Sequence, residues 1–165
     1  LRGIPHKNSL SLHVYINTTA MKVLPHVMRN INEFNIPCND LNGYEILYFG
    51  ANLILMFEYR LSFDVKVKNS EEKIEVLIIS RKHVPAWKTN ANMQDVTIYY
   101  KKHGTGINDV FKPSISDSYA FILDNRSSSN EDSRTKNVEV TLVHTWQQEV
   151  RESQLKDREV IASKP

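Results

Sequence analysis

The chain has 165 residues, of which 41% are apolar and 24% charged, with a net charge of +2 at neutral pH. That is enough for one domain with a real core and too little for two of ordinary size. It excludes the strongly basic footprint of a dedicated nucleic-acid binder, and no run nears the ~18 apolar residues of a membrane-spanning helix.

In chain order, "SLSLHVYI" (9–16) sets Leu10, Leu12, Val14 and Ile16 on one face, with the period of two that marks a strand. Met21, Leu24, Met28 and Ile31 then recur at three- and four-residue steps, so the spacing predicts one N-terminal helix. Pro25 places its start near Leu24 and Pro37 its end. From Tyr44 the pattern is β. After "YEILYF" the odd-numbered residues from Leu53 to Val67 are apolar, while Glu58, Arg60, Ser62, Asp64 and Lys66 share the other parity. A stretch of that length is long for one strand and predicts a bulge near Arg60 to Ser62. "KIEVLII", "VTIYY", "SYAFILD" and "NVEVTLVHTW" complete a set of about eight strands. An all-β, antiparallel, jelly-roll-like sandwich accounts for that count. From Gln147 the chain is charged, with Glu152 and Lys156 at helical spacing, which predicts a charged helical C-terminal tail. The expected organisation is an N-terminal strand and helix over 1–43, joined to the sandwich or separate from it, a β-sandwich over 44–146, and the tail over 147–165.

Signals for chemistry are sparse. The histidines at 6, 13, 26, 83, 103 and 144 include no two that stand three or four apart, and none is at ligand spacing from Cys38. Nucleophile-elbow, Walker and dinucleotide motifs are absent from the sequence, and "HGTGIND" (103–109) reads as a turn. Asp124-Asn125 closes an apolar run, where short polar side chains accept hydrogen bonds from nearby backbone N–H groups. These residues predict a chain that is not an enzyme and has no catalytic residues, no metal, no cofactor and no small-molecule substrate. The competing reading is a small hydrolase or metal-dependent enzyme on a sandwich scaffold, using some of His83, His103, Asp95 and Asp109. A lipid-binding sandwich with an interior cavity is disfavoured by the large inward residues Phe57, Tyr59, Phe63 and Phe121, which predict a filled core.

Two blocks, "YEILYFGANLILMFEYRLSFDV" (44–65) and "DSYAFILDNRSSSNEDSRTKNVEVTLVHTW" (117–146), resemble a GOLD (Golgi dynamics) domain. The likeness is to the GOLD domains of CRAL-TRIO lipid-transfer and oxysterol-binding-protein-like proteins. It implies a protein-interaction or adaptor module of membrane trafficking or lipid transfer, with a protein partner in that machinery. Cargo-receptor GOLD domains usually carry a disulfide, whereas this chain has only Cys38. With no apolar signal segment in "LRGIPHKNSLSL", that departure predicts a cytoplasmic protein peripheral to Golgi, endosomal or ER membranes rather than a lumenal one. The candidate contact surface for a partner or an anionic membrane is Arg81, Lys82, His83, Trp87, Lys88, Lys101 and Lys102. Between Arg81 and Lys112 these cations and Lys112 meet only Asp95 and Asp109, with Trp87 as the expected apolar anchor.

Overall fold

A computed structural model describes residues 20–68, 71–90, 93–126 and 134–152. It holds eight strands: β1 (Met21–Ile36), β2 (Tyr44–Ala51), β3 (Phe57–Val67), β4 (Ile74–Ser80), β5 (Ile98–Gly104), β6 (Gly106–Phe111), β7 (Asp117–Asp124) and β8 (Lys136–Arg151). One short helix, α1 (Val84–Thr89), follows β4. Two four-stranded sheets form, in the orders β1-β8-β3-β6 and β2-β7-β4-β5. First and last, second and second-last, and so on inward to β4 and β5, the strands are hydrogen-bonded neighbours. A long hairpin wound upon itself has this order, which is the winding of a jelly roll.

Two compact units divide the chain: Val27–Trp146, and Leu1–His26 with Gln147–Pro165. In the second, Glu152 N donates to Ala20 O at 3.1 Å, Lys22 and Glu152 make an exposed ion pair at 3.1 Å, and Val150 is buried.

The first unit carries the core. Leu61, Phe63, Val65, Val138, Val140 and Leu142 of one sheet pack against Ile74, Val76, Ile78, Tyr119, Phe121 and Leu123 of the other. The opposite face of the second sheet is also covered, because Leu77, Ile79, Ala120 and Ile122 lie under Val84 and Trp87 of α1 and under Val96. Strands β4 and β7 are thus buried on both faces, which is why their sequences run almost continuously apolar instead of alternating. Pro85 in the first turn of α1 and Asn90 in the left-handed conformation after it start and stop that helix.

The sandwich is as the alternation predicts, and four expectations are corrected. Residues 21–36 form an edge strand, not a helix: Leu24, Met28, Phe34 and Ile36 share one parity, and Pro25, which has no N–H to donate, is accepted at a sheet edge. The start of the predicted tail, Gln147 to Arg151, continues β8, while residues 153–165 lie outside the described residues, as does the predicted strand over 9–16. The long run from Leu53 breaks earlier than expected, in a turn at 52–56 followed by Glu58 at φ 52°, and β3 is then continuous through Arg60 to Ser62. Tyr59, Leu61, Phe63 and Val65 are accordingly buried, but Leu55 and Phe57 are exposed. "HGTGIND" contains a turn only at its centre, since its second half opens β6, where Ile107 and Phe111 reach the core.

Candidate functional site

The residues from Arg81 to Lys102 do not all share one face. Arg81, Lys82 and Lys88 are exposed around α1, Arg81 stacking on the Tyr48 ring at 4.3 Å and Lys88 over Tyr44 at 5.7 Å. Strand β5 splits the next two: Lys101 pairs with Leu77, on the face that α1 covers, and Lys102 with Val76, on the inter-sheet face. Lys101 also reaches Glu75 at 3.8 Å. His83 is half-buried, its Nδ1 accepting from Thr97 N at 3.4 Å. Trp87 is no anchor. It is 1% exposed, with its ring edge-on to Tyr44 at 5.2 Å and beneath the Arg126 guanidinium at 4.0 Å. An apolar ring in a loop beside cations resembles a membrane anchor in sequence, but here it roofs the outer core.

The residues of the competing enzyme reading are also dispersed. Asp95 ends a short 3-10 turn, His103 pairs with Glu75 across β4 and β5, and Asp109 lies in β6. Hydrogen bonds from Val110 N and the Tyr100 hydroxyl, both at 2.8 Å, hold the Asp109 carboxyl below its ordinary value. Among the described residues no three His, Cys, Asp or Glu side chains are placed to hold a metal ion.

Asp124 and Asn125 anchor a buried network. Asp124 Oδ1 accepts from Arg126 N at 3.0 Å and Nε at 3.1 Å, and Oδ2 accepts from Nη2 at 3.2 Å, so the guanidinium grips the carboxylate with two nitrogens. The third guanidinium nitrogen donates to the carbonyls of Trp87 at 3.2 Å and Lys88 at 3.3 Å, fixing the end of α1. Asn125 donates to Ile36 O and Arg134 O, accepts from the Lys136 ammonium, and its backbone N–H donates to Gly43 O. Arg126, two residues on, is thus the charged partner of Asp124.

A different set of residues forms a cleft. It lies between the β1, β8 and β3 side of one sheet and the β2 edge of the other, and has a volume of about 170 Å³. Phe49, Tyr59, Leu142 and Trp146 supply its apolar lining, Met28 and Met56 its flexible thioethers, and Asn30 and Asn32 its carboxamides. The rings form a continuous stack: Phe49 lies 5.3 Å from Tyr119 in the core, and Tyr59 lies 6.3 Å from both Phe49 and Trp146. In the cleft Tyr59 Oη and His144 Nδ1, both buried, are hydrogen-bonded. Burial raises the Tyr59 phenol well above its ordinary value and lowers the His144 imidazole below 6.5, so both are neutral at neutral pH. No charged side chain is among the described residues that line the cleft.

This site was not read from the sequence, because its parts come from four strands and the Tyr59–His144 contact spans 85 positions. One signal was present, since His144 and Trp146 keep the even parity of Val138, Val140 and Leu142 and must face the same way.

The depressed imidazole has a consequence for stability. Below pH 6.5 the unfolded chain takes up a proton that the folded chain refuses, so the stability held by neutral His144 is intact above that pH and drains away below it. Glu75, raised by burial, works in the opposite sense. Comparison with His144→Gln, which keeps a hydrogen-bonding group without the titration, isolates the histidine. Urea midpoints measured from pH 7.5 to 5 are expected to fall more steeply in the wild type than in the variant; parallel slopes would contradict this.

No family model matches the chain, and no curated protein matches it. Among solved structures it is similar to a chain of the Bacillus endospore appendages that form disulfide-linked pili, at 8% identity and a TM-score of 0.45, covering 78% of this chain and 91% of that one. It is also similar to a CBM4 structure, at 14% identity and a TM-score of 0.39 over 79% of this chain and 80% of that one. A turnip yellow mosaic virus chain follows at 8% identity and a TM-score of 0.27, over 77% and 96%. At these identities and TM-scores the likenesses carry no functional weight.

Proposed function

We propose that the chain is a non-catalytic interaction module which seats an uncharged group of a protein partner in the Phe49–Tyr59–His144–Trp146 cleft. One observation carries the reading: the cleft is lined by rings and carboxamides, and its two buried polar rings, Tyr59 and His144, are hydrogen-bonded to each other. Rigid aromatic faces with a few convergent polar groups are the material of recognition. A protein partner suits the frame, since β1 and β2, which flank the cleft, are both sheet edges whose backbone groups an extended segment can meet. The setting in membrane trafficking or lipid transfer, on the cytoplasmic side of Golgi, endosomal or ER membranes and in contact with an anionic surface, is supported by the GOLD-like blocks at 44–65 and 117–146 and by the cations around α1.

Asn30 is exposed at the cleft wall, so Asn30→Trp should fill the space without disturbing the core. Proteins retained by the immobilised chain are expected to be lost with Asn30→Trp at an unchanged melting temperature. Equal retention by both forms would refute the cleft as the contact site.

A further inference from the structure

We propose that the cleft's partner is an extended acidic segment. It adds to the open edge of β2, sends an uncharged side chain into the cleft, and lays two carboxylates, four residues apart, beside Arg81 and Lys88. Such a segment is one form of the protein partner read above, and this inference rests on that reading.

Strand β2 ends its sheet, with β7 as its neighbour. One hydrogen bond fixes which of its backbone groups are open: Asn125 N donates to Gly43 O at 2.7 Å, at the head of the same ladder. In an antiparallel pair alternate residues bond to the neighbour, so Glu45, Leu47 and Phe49 turn their N–H and C=O groups to β7. Tyr44, Ile46 and Tyr48 turn theirs to the edge, where no described backbone group meets them. The side chains alternate too. Leu47 and Phe49 pack against the inter-sheet core beside the cleft, whereas Tyr44 and Ile46 pack on the outer layer with Trp87. Tyr48 shares that outer parity and lies under the Arg81 guanidinium at 4.3 Å, as Tyr44 lies under the Lys88 ammonium at 5.7 Å. Both cations are exposed, and neither is in an ion pair with a described carboxylate. Stacking on a ring orders each of them before a partner arrives.

Edge, cleft and cations are matched together by one extended peptide. Residues of an added strand opposite Tyr48 and Tyr44 lie on the outer face, about 13 Å apart, beside the two cations. The residue opposite Leu47 lies on the other face and enters the cleft. The described lining of the cleft carries no charge to pair with, so that side chain is uncharged. Glu45, on the inward parity, repels an acid placed opposite it and so confines the carboxylates to the outer face. A lipid surface would meet the cations but not the hydrogen-bonding groups of the edge. A second copy of β2 would meet the edge but brings no acid on the outer parity.

Peptides selected from a random library on the immobilised full chain are expected to carry two acidic residues four apart, with a bulky uncharged residue next to one of them. Arg81→Gln/Lys88→Gln should weaken the selected peptide about threefold or more and flatten its salt dependence, at an unchanged melting temperature. Asn30→Trp should abolish its binding. Methylating the peptide's backbone nitrogens should abolish binding at residues of one parity and spare it at the other, since only alternate N–H groups of an added strand face β2. Peptides lost with Asn30→Trp, but indifferent to the double Gln variant and to the parity of methylation, would overturn this inference and leave the cleft reading standing. Peptides that need the cations and one methylation parity yet still bind Asn30→Trp would overturn the cleft reading itself. Selection of peptides without the paired acids would overturn the inference. So would flotation with phosphatidylserine vesicles that the double Gln variant abolishes, in a chain that selects no acidic peptide, by assigning the cations to lipid.

Discussion

Arg126→Ala is expected to destabilise the domain by about 3–5 kcal/mol, the cost of leaving a buried carboxylate without its partner. Asp124 is 0% exposed and Arg126 3%, so little water can replace the lost guanidinium. The same substitution removes the cation over Trp87 and the donors to the last carbonyls of α1, so the helix should loosen from β4 and β7 together with the ion pair. Arg126→Lys keeps the charge but not the fork or the stacking plane, and should fall between wild type and Ala. Thermal and urea unfolding of the three forms checks the order. A loss under 1 kcal/mol in Arg126→Ala would mean that the network is solvated in a way its burial denies.

Phe121→Ala should cost a similar ~3–5 kcal/mol, for a different reason. Phe121 is fully buried on the inter-sheet face of β7, edge-to-face with Phe63 of the opposing sheet at 5.1 Å. Its removal leaves a cavity between two hydrogen-bonded sheets, which cannot collapse without sliding a register that β2 and β4 both fix. Phe121→Leu should recover much of the loss by filling that space. Equal melting temperatures for wild type and Phe121→Ala would contradict the packing described.

Where one sheet face is wet, the sequence alternates and the strand is legible: Tyr59, Leu61, Phe63 and Val65 of β3 and Val138, Val140 and Leu142 of β8 lie inside as their parity predicts. Strand β1 was misread because steps of three and four between Met21, Leu24, Met28 and Ile31 mimic a helix when an edge strand exposes apolar residues on both faces. Strand β6 was hidden by Asn108 and Asp109, which disfavour strands; Asn108 is exposed, and Asp109, on the parity of Ile107 and Phe111, is satisfied by the Tyr100 hydroxyl and Val110 N. Helix α1 is only six residues long, too short for a period to show. Asp124 and Asn125 were recognised as a strand exit from chemistry that is local. Arg126's grip on α1 was not, because that helix lies 38 and 39 positions earlier in the chain. The cleft was invisible for the same reason. Parity can say that His144 faces inward, but only the folded register brings it to Tyr59.

The cleft as a recognition site is the central claim, and Trp146 can report on it directly. The chain has two tryptophans, and Trp87→Phe keeps a ring beneath Arg126 while leaving Trp146 as the sole tryptophan. Titrating this variant with a purified partner, chosen for its loss with Asn30→Trp, should shift and saturate the Trp146 emission at the concentration where binding saturates by calorimetry. Binding seen by calorimetry with the Trp146 emission unchanged would place the partner elsewhere and contradict the account.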